Sequence, residues 1–525
     1  MNKLNKFLLY LSTLTISILP ITEALANFAD TYGFSASGMA RGNAMTAVAK
    51  DWSSVYYNMS GLGKTGMIKR GNPRNESMAV KSGDSDVEFY NPYAVTEPKS
   101  LPVSVAPERG VETVTGEILT DQLAVSYLYA YPMLKIDRAS PSNSAFSQEP
   151  MLMDEDLEVG TVVIGLAFDL NHIYKMPDFI SSARLGLGLG LMHDLYLAKV
   201  SDIDVRTHNF QRYGREAERA VILAGVGFGI LDDLCGIGLG ANIWITGAGA
   251  VEMRDAQIGP ETQTPKQEIK LDLKPKIAPS IGAYISPGKI VPLLKGLELG
   301  VNYRGEVYLD IDPFAAIAEV ELGGVELNIA LAIFEFYTPH IITAGCAYTL
   351  PFSLPLVRDI TISADIEYQM WSGYMISSSK EYYWEEIVGI DIPEFDDIIV
   401  PKIGASVEVF DWLSVLAGYY YQPSFVPDEA NEGIFNFLDN DKHVASCGLS
   451  VTIPPFLGFV NPIEVNVGFQ YQYLVERDVN KNHDSYIDKL GLDLDDQEEY
   501  KQTRNPDYSY GGVNYLVTAE VIFRM

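Results

Sequence analysis

The chain has 525 residues, with 38 Lys and Arg against 69 Asp and Glu, and its formal net charge is −31. This negative charge argues against a nucleic-acid partner, because recognition of phosphates needs clustered cations. Hydrophobic residues make up 47% of the chain, which excludes a disordered protein, and no segment after residue 26 holds the roughly 18 consecutive apolar residues of a membrane-spanning helix. A large soluble fold or a transmembrane β-barrel remains, and the 31 Tyr and 22 Phe favour a barrel with aromatic girdles.

The first 26 residues have the pattern of a secretory signal peptide. Lys3 and Lys6 precede an apolar run from Phe7 to about Ile21, and Ala24-Leu25-Ala26 supplies small residues for signal peptidase. The apolar run is too short for a membrane anchor. We therefore expect the mature chain to begin at Asn27, outside the cytoplasm.

Residues 27–66 show no alternation of apolar and polar residues. The stretch from Ser35 to Ala49 is rich in Gly and Ala, and Asp51 to Val55 can cap a short helical turn. About 40 residues with small side chains suit a hatch, a plug inside the lumen of a barrel; the alternative is an ordinary periplasmic leader. Residues 67–120 are rich in Pro and charge, and we interpret them as a loop-like insertion.

Period-2 alternation recurs from residue 121 to residue 525, which we interpret as the barrel. Ile360, Ile362, Ala364 and Ile366 fall on one face of a run whose other face carries Asp365 and Glu367. Such runs reach ten residues or more, the length that a tilted membrane-spanning strand needs. The predicted strands are 122–132, 159–170, 182–199, 213–230, 234–250, 268–286, 295–310, 323–350, 359–372, 400–410, 413–423, 443–454, 461–475 and 513–525.

The run 323–350 contains Pro339, which a strand ladder tolerates only at a bulge or an edge. Bacterial single-chain barrels have even strand numbers, so we interpret this run as one long, bulged strand. The predicted fold is an all-β transmembrane antiparallel β-barrel of about 14 strands with a small N-terminal hatch in the lumen. An even number of strands places both termini on the periplasmic side.

Three neighbouring strands carry glycine on the face predicted to point inward. The first row is Gly186, Gly188 and Gly190; the other two rows are Gly225, Gly227, Gly229 and Gly236, Gly238, Gly240. Glycine weakens a strand, so these rows mark either a close approach of another segment, such as a plug, or a bend in the wall. A bend could also open the wall sideways, and we predict that the first row takes part in gating.

Several polar groups and the three cysteines invite a functional interpretation. Asp365 and Glu367 face the lumen, where we expect them to pair with Arg304, Lys274 or Lys402 and not to act as acid and base. Asp478 to Asp484 has the one-three-five spacing of a calcium loop but lacks its Gly and its final Glu, so it is a weak ion site or a solvated loop. Cys235, Cys346 and Cys447 lie far apart in strand-like runs, where we interpret them as small apolar side chains, and their odd number argues against a disulfide framework. We predict no catalytic residue, no metal and no cofactor.

Four stretches of the chain, taken together, carry a resemblance to a known family. They are Gly38 to Ala44 continuing through Asp51 to Asn58; Ala364 to Ser372; Gly418 to Asp428; and Asp439 to His443. In order and spacing they resemble the FadL/TodX (OMPP1) family of outer-membrane transporters for long-chain fatty acids and aromatic hydrocarbons. The resemblance covers about residues 27–66 and 340–455. Met59-Ser60 replace the Pro-Ala of a family motif, and the chain ends in Met525 where an aromatic residue is usual.

The resemblance implies a hatch that closes the barrel, apolar binding sites, and sideways release of hydrophobic molecules through a gap at a kinked strand. No energy-coupling motif is visible in the sequence, so we expect passive transport. The predicted ligand-binding residues lie in the hatch: Asn27, Phe28, Phe34, Asp51 and Asn58. The expected partners are hydrophobic small molecules, outer-membrane lipid and lipopolysaccharide, and the barrel assembly machinery, with the protein acting as a monomer in the bacterial outer membrane. The alternatives are a structural or adhesive barrel and an outer-membrane lipid hydrolase.

Overall fold

A computed structural model describes seventeen stretches of the chain. They are residues 28–64, 121–138, 159–192, 200–201, 209–210, 212–213, 221–254, 266–309, 318–322, 325–329, 332–333, 336–350, 357–373, 394–428, 437–455, 461–481 and 507–525. The predicted signal peptide, Asn27, the insertion 67–120 and the end of the calcium-like loop lie outside the described residues.

Fourteen antiparallel strands form a closed barrel in which each strand pairs with its neighbours in the chain, and the last pairs with the first. Their bounds are β1 Gln122–Arg138, β2 Val159–Asp169, β3 Ile180–Met192, β4 Val221–Ile230, β5 Cys235–Arg254, β6 Lys266–Ile285, β7 Leu297–Arg304, β8 His340–Leu350, β9 Ile360–Met370, β10 Ile398–Phe410, β11 Leu413–Gln422, β12 Lys442–Ile453, β13 Ile463–Val479 and β14 Tyr508–Arg524. The predicted fold class and strand count are confirmed.

The alternation in sequence sorts side chains between the two faces of the wall, as predicted. On β9, Ile362 and Ile366 are 46% and 59% exposed on the outside, whereas Asp365 and Glu367 are buried toward the lumen. A strand has a side-chain period of two, so this one pattern fixes the orientation of the whole strand. The apolar face is the one that a barrel presents to lipid.

The prediction of one bulged strand over 323–350 is wrong. The barrel strand β8 begins only at His340, directly after Pro339. The preceding residues form short pairs outside the barrel: Val325–Ile329 with Ala318–Leu322, Ala332–Ile333 with Val200–Ser201, and Phe336–Thr338 with Val307–Leu309. Because proline has no N–H to donate, the barrel ladder begins only after Pro339, although the run of apolar residues starts before it.

The two ends of the barrel differ in their connections. At the end where β1 begins and β14 finishes, the strands are joined by short turns, such as the two residues between β10 and β11 and the four between β4 and β5. These turns include three-residue 3₁₀ helices: Leu170–His172, Pro287–Lys289 and Pro292–Leu294. The other end, the long-loop end, carries the short strand pairs, a parallel pair of Asn209–Phe210 with Phe437–Leu438, and the 3₁₀ turn Trp371–Gly373.

The described N-terminal residues fold inside the wall as α1 Phe28–Thr31, α2 Ala36–Ala40, α3 Ser54–Tyr57 and a 3₁₀ helix Met59–Gly63. We call residues 28–64 the hatch. Ser35 caps α2 by accepting a 3.1 Å hydrogen bond from the Gly38 N–H. None of the helices in the described part of the chain is long and apolar enough to cross a membrane.

The three cysteines are free thiols on wall strands. Cys346 and Cys447 are exposed on the outer face, and Cys235 is half-buried. Met525 is exposed as well, at a position that alternates in phase with the exposed Val517 on the outer face of β14.

Candidate functional site

The hatch packs against glycine on the wall strands β2 to β5. A Cβ added at Gly188 would lie 2.7 Å from Phe34 Cζ, and one at Gly165 would fall on the ring of Trp52. Gly186 and Gly190 face Val55 and Phe28 in the same way, and Gly225 and Gly240 face Met59. The predicted glycine rows are therefore places where the hatch comes close to the wall backbone, as it also does at Gly165 and Gly282. Their role in gating stays a prediction.

The side chains that meet these glycines form an aromatic core in the hatch. Phe34 lies 6.1 Å from the Phe28 ring, 5.3 Å from Trp52 and 5.4 Å from Tyr56, measured between ring centroids. Phe34 and Trp52 are fully buried. Close-packed aromatic rings of this kind stabilise a fold by apolar burial and favourable ring geometry. Phe28 and Phe34, predicted as ligand residues, are thus also the packing centre of the hatch.

Asp51 and Asn58, the other two described residues of the predicted site, shape the hatch backbone. Asp51 accepts hydrogen bonds from the Ser53 N–H at 2.9 Å and from its hydroxyl at 2.6 Å, just before α3. Asn58 accepts from Ser60 and donates to the carbonyl of Thr46 at 2.8 Å and to that of Ala283 on β6 at 3.2 Å. Asn58 therefore ties two hatch segments and one wall strand together.

The opposite side of the lumen, lined by β7 to β10, meets the hatch through charge. Arg304 on β7 donates to Asp30 at 2.6 Å and lies 4.4 Å from the ring of Tyr56. Asp365 on β9 accepts from the Thr46 N–H at 2.9 Å. These contacts are directional hydrogen bonds between buried polar groups, which are costly to leave unmade.

Glu367, two residues further along β9, pairs with Lys402 on β10 at 2.8 Å. The expectation that the inward carboxylates pair with inward cations is confirmed for Glu367 and Lys402. Asp365 instead binds the hatch backbone, which the sequence did not indicate. Between the two wall groups and the hatch lies a small, mainly polar cavity, whose lining includes Asp30, Arg304 and Lys402.

The hatch is also fixed at the short-turn end of the barrel. Arg184 on β3 donates to the carbonyls of Leu62 at 2.6 Å, Lys50 at 2.8 Å and Lys64 at 2.6 Å. Lys64 forms a 2.5 Å ion pair with Glu298. Burial lowers the pKa of the Lys64 ammonium, and Glu298 opposes that shift. Inside the hatch, burial raises the pKa of Tyr57 to about 12, which keeps its hydroxyl a donor to Asn43.

A cationic cluster lies on the long-loop side of the hatch. Arg212 and Lys442 are both buried, and Arg212 Nε lies 3.4 Å from Asp439 Oδ1. Within the described part of the chain, Lys442 Nζ donates no hydrogen bond; it lies 5.5 Å from the ring of Tyr213 and 5.8 Å from that of Tyr420. A buried ammonium without an oxygen acceptor has capacity for an anionic ligand group.

An apolar aromatic cluster adjoins these cations. Trp371 and Phe425 stack with centroids 3.8 Å apart, and Phe395 packs beside them at 5.7 Å from Phe425. The Arg212 guanidinium lies 5.0 Å from the Phe425 ring, which joins the two clusters. Cations beside aromatic rings make a site with one charged and one apolar part, the arrangement that an amphiphile requires.

The cationic cluster touches the first turn of the hatch. The Thr31 hydroxyl donates to the Arg212 carbonyl at 3.2 Å, and the Thr31 carbonyl accepts from Gln472 at 3.3 Å. A ligand that moves Arg212 would therefore act directly on α1. In the sequence, Asp439 and Lys442 were identified only as part of the motif from Asp439 to His443. Arg212 was not identified, because no motif in the neighbouring sequence marks it.

Comparisons with known proteins agree with this architecture. The chain is 22% identical over 413 residues to the alkane uptake protein A of Marinobacter nauticus, which covers 77% of this chain and 81% of that protein. A crystal structure of a Pseudomonas aeruginosa FadL homologue superposes with a TM-score of 0.50 at 11% identity, covering 93% of this chain and 98% of that one. No family model matches the chain. The likeness in sequence and the likeness in fold confirm the resemblance to the FadL/TodX family.

Proposed function

We propose that this chain is a passive channel of the bacterial outer membrane that takes up hydrophobic compounds through a barrel gated by its hatch, with release through the wall. In this proposal the long-loop end faces the outside and the short-turn end faces the periplasm. The barrel assembly machinery inserts the chain as a monomer among outer-membrane lipid and lipopolysaccharide. The similar protein of Marinobacter nauticus bears the name of an alkane uptake protein, which supports a hydrophobic substrate.

The observation that carries the substrate class is the buried pair of cations beside aromatic rings. Among the described residues, Arg212 lies 3.4 Å from Asp439 and Lys442 Nζ has no hydrogen-bond partner, and the stacked Trp371 and Phe425 lie beside them. A fatty-acid carboxylate would complete the charge, and its acyl chain would lie on the rings. This favours long-chain fatty acids over aromatic hydrocarbons, which bring no anion to the cluster.

The contact between the cluster and α1 supports gating by the hatch. Thr31 donates to Arg212 and lies three residues from Phe28, which packs against Gly190 of the wall. Movement of the cluster is transmitted to Phe28 through one helical turn. Release of Phe28 would free the wall at Gly190 on β3 while Phe34 and Val55 stay packed on Gly188 and Gly186.

Uptake of labelled oleate by cells that lack their own transporter tests the proposal. The full chain should restore uptake, and a variant deleted for residues 28–34 should lose it while still forming a heat-modifiable barrel. Lys442→Gln should reduce oleate uptake about tenfold or more, because a buried charge-assisted hydrogen bond contributes about 1.5–3 kcal/mol. The exposed Lys295→Gln is the matched control and should transport oleate normally.

Toluene uptake separates the two substrate classes. If Lys442→Gln impairs toluene and oleate equally, the cations do not recognise a carboxylate. If the full chain restores the uptake of neither compound and also not that of an alkane such as hexadecane, the channel function is wrong and a structural or adhesive barrel explains the protein better.

A further inference from the structure

Three neighbouring turns at the short-turn end of the barrel expose apolar side chains. They connect β2 to β3, β4 to β5 and β6 to β7, and these six strands are consecutive in the barrel. Leu293 is 89% exposed, more than any other large apolar side chain in the described part of the chain. Clustered exposed apolar side chains usually mark an interaction surface. We call this cluster the rim ridge; its residues are Ile173, Tyr174, Phe179, Leu231, Ile290, Val291 and Leu293.

Backbone hydrogen bonds tie the three turns into one surface. The Leu231 N–H donates to the Phe179 carbonyl at 3.0 Å, which joins the first turn to the second. The Ser286 N–H donates to the Leu234 carbonyl at 2.7 Å, which joins the second turn to the third. The rim ridge is therefore held in shape by the backbone at the strand ends, and its apolar side chains remain free to contact another surface.

The middle turn keeps Leu231 exposed at a local cost. Leu231 has a φ of 53°, and the next two residues, Asp232 and Asp233, have φ of 54° and 58°. The left-handed region is costly for a bulky side chain, and such conformations concentrate at functional sites. The Asp233 N–H donates to the Ser181 hydroxyl at 3.0 Å, which helps to fix the turn. Glycine would adopt the same backbone without strain, so a 57% exposed leucine here points to a use for its side chain.

The rim ridge continues the apolar outer face of the wall. Ile237 on β5, Ile285 on β6 and Leu299 on β7 are exposed on that face close to the turns. The first and third turns are built on 3₁₀ helices of three residues, and three residues at about 2 Å each extend roughly 6 Å. The headgroup layer of one leaflet is about 5–7 Å thick. The turns therefore project from the lipid-facing wall by about the depth of one headgroup layer.

Lysines accompany the apolar side chains of the rim ridge. Lys175 follows Tyr174 and Lys289 precedes Ile290, and both lysines are exposed. The Lys289 ammonium donates to the Asp232 carbonyl, which keeps it on the ridge. The three turns together carry three exposed lysines and two exposed aspartates, in a chain whose net charge is −31. Apolar side chains next to lysines suit a lipid interface, where the former contact acyl chains and the latter contact phosphates.

We propose that the rim ridge binds anionic phospholipid in the leaflet at the short-turn end of the barrel. Leu231, Ile290 and Leu293 enter the boundary between headgroups and acyl chains, and Lys175 and Lys289 contact the phosphates. This inference goes beyond the proposed uptake function, because it concerns how the barrel is held in the membrane and not what passes through it. A soluble protein is the other class of partner for such a surface, and the continuity of the ridge with the lipid-facing wall favours lipid.

A fluorescent label at Leu293 tests insertion. In a parent chain with all three native cysteines replaced by Ser, Leu293→Cys carries an environment-sensitive dye, and the full chain is reconstituted in vesicles of phosphatidylethanolamine and phosphatidylglycerol. The emission of the dye should shift to shorter wavelength, and lipid with a nitroxide near its headgroup should quench it more strongly than iodide does. Glu394→Cys, exposed at the long-loop end, is the control and should be quenched by iodide.

The combined substitution Lys175→Gln and Lys289→Gln tests the lipid class. In native mass spectrometry the unmodified chain should retain phosphatidylglycerol in preference to phosphatidylcholine. The double variant should lose that preference by about fivefold for each lysine, the effect of one cation near an anionic lipid surface. Lys135→Gln, at an exposed lysine toward the other end of β1, is the control and should keep the preference.

The outcomes are distinct. Iodide quenching at Leu293 as strong as at Glu394 overturns insertion, and an unchanged lipid preference in the double variant overturns recognition of the headgroup. Protection of the Leu293 dye only after soluble periplasmic protein is added makes a protein the partner and overturns the lipid assignment. Both assays measure contact with lipid, so a parent chain that inserts the ridge but takes up no oleate contradicts the proposed function alone.

Discussion

The two sides of the hatch meet the wall by different physical means. Toward β2 to β5, aromatic and aliphatic side chains such as Phe34 and Trp52 press onto glycine backbone. Toward β7 to β10, the hatch is held by Arg304, Asp365 and a few hydrogen bonds around a small polar cavity. The first side is dominated by apolar packing, with Arg184 as its polar anchor. The second side is dominated by polar contacts, although the hatch backbone also lies close to Gly300 and Gly404 there.

This difference separates stability from movement. Apolar packing against glycine tolerates no change of shape, because interiors are close-packed and both cavities and added atoms destabilise them. Hydrogen bonds between the hatch and the wall can be exchanged for others with a modest net change in free energy. We therefore expect substitutions on the glycine side to affect folding most, and substitutions on the polar side to affect gating.

The largest effect is expected from Trp52→Ala. Trp52 is fully buried against Gly165, and loss of a buried aromatic side chain costs about 3–5 kcal/mol. The free energy of unfolding in urea, measured in detergent micelles, should fall by that amount. Trp412→Ala, at an exposed ring of the wall, should change it little. Equal losses for the two variants would mean that the hatch contributes nothing to barrel stability.

Gly188→Leu should give the next largest effect. The new side chain would overlap Phe34, and overpacking costs about 1–3 kcal/mol. Adding Phe34→Ala creates the missing space, so the double variant should lose less stability than the sum of the two single variants. Strictly additive losses would show that Phe34 does not sit on Gly188.

Asp365→Asn tests the polar side. Asn retains an oxygen that can accept from the Thr46 N–H but loses the charge, so stability should fall by only about 1 kcal/mol. Leakage of a small sugar into liposomes should rise, because the hatch loses a fixed contact with the wall. Asp232→Asn, on an exposed turn, is the control and should leave leakage unchanged. A fall in the free energy of unfolding without any leakage would mean that Asp365 stabilises the fold but does not keep the hatch closed.

The smallest effect is expected from the triple replacement of Cys235, Cys346 and Cys447 by Ser. The thiols are free, two of them lie on the outer face, and surface changes usually stay within about 0.5 kcal/mol. Unfolding curves of the native chain with and without reductant should also coincide. A reductant-dependent shift would reveal a disulfide and would contradict the free state of these thiols.

Much of the wall follows from local sequence, and the site follows only in part. The alternation on β9 predicted that Ile366 faces outward and that Glu367 faces the lumen, because a strand has only two faces. The prediction of one strand over 323–350 was wrong because it relied on the even strand number of bacterial barrels, although Pro339 ends the ladder. The glycine row predicted a close approach, but its occupant, Phe34, is more than 150 residues away and no local signal connects the two.

The sequence by itself determined the class of the molecule, the strand number and the face of each regular strand, since these depend on periodicity and on the missing N–H of proline. Tertiary structure decided which side chains share the lumen. The hatch partners of Arg304 and Asp365 depend on closing the barrel around the hatch. So does the meeting of Arg212 with Lys442. Closure brings together residues hundreds of positions apart, and no pattern along one strand records which of them will meet.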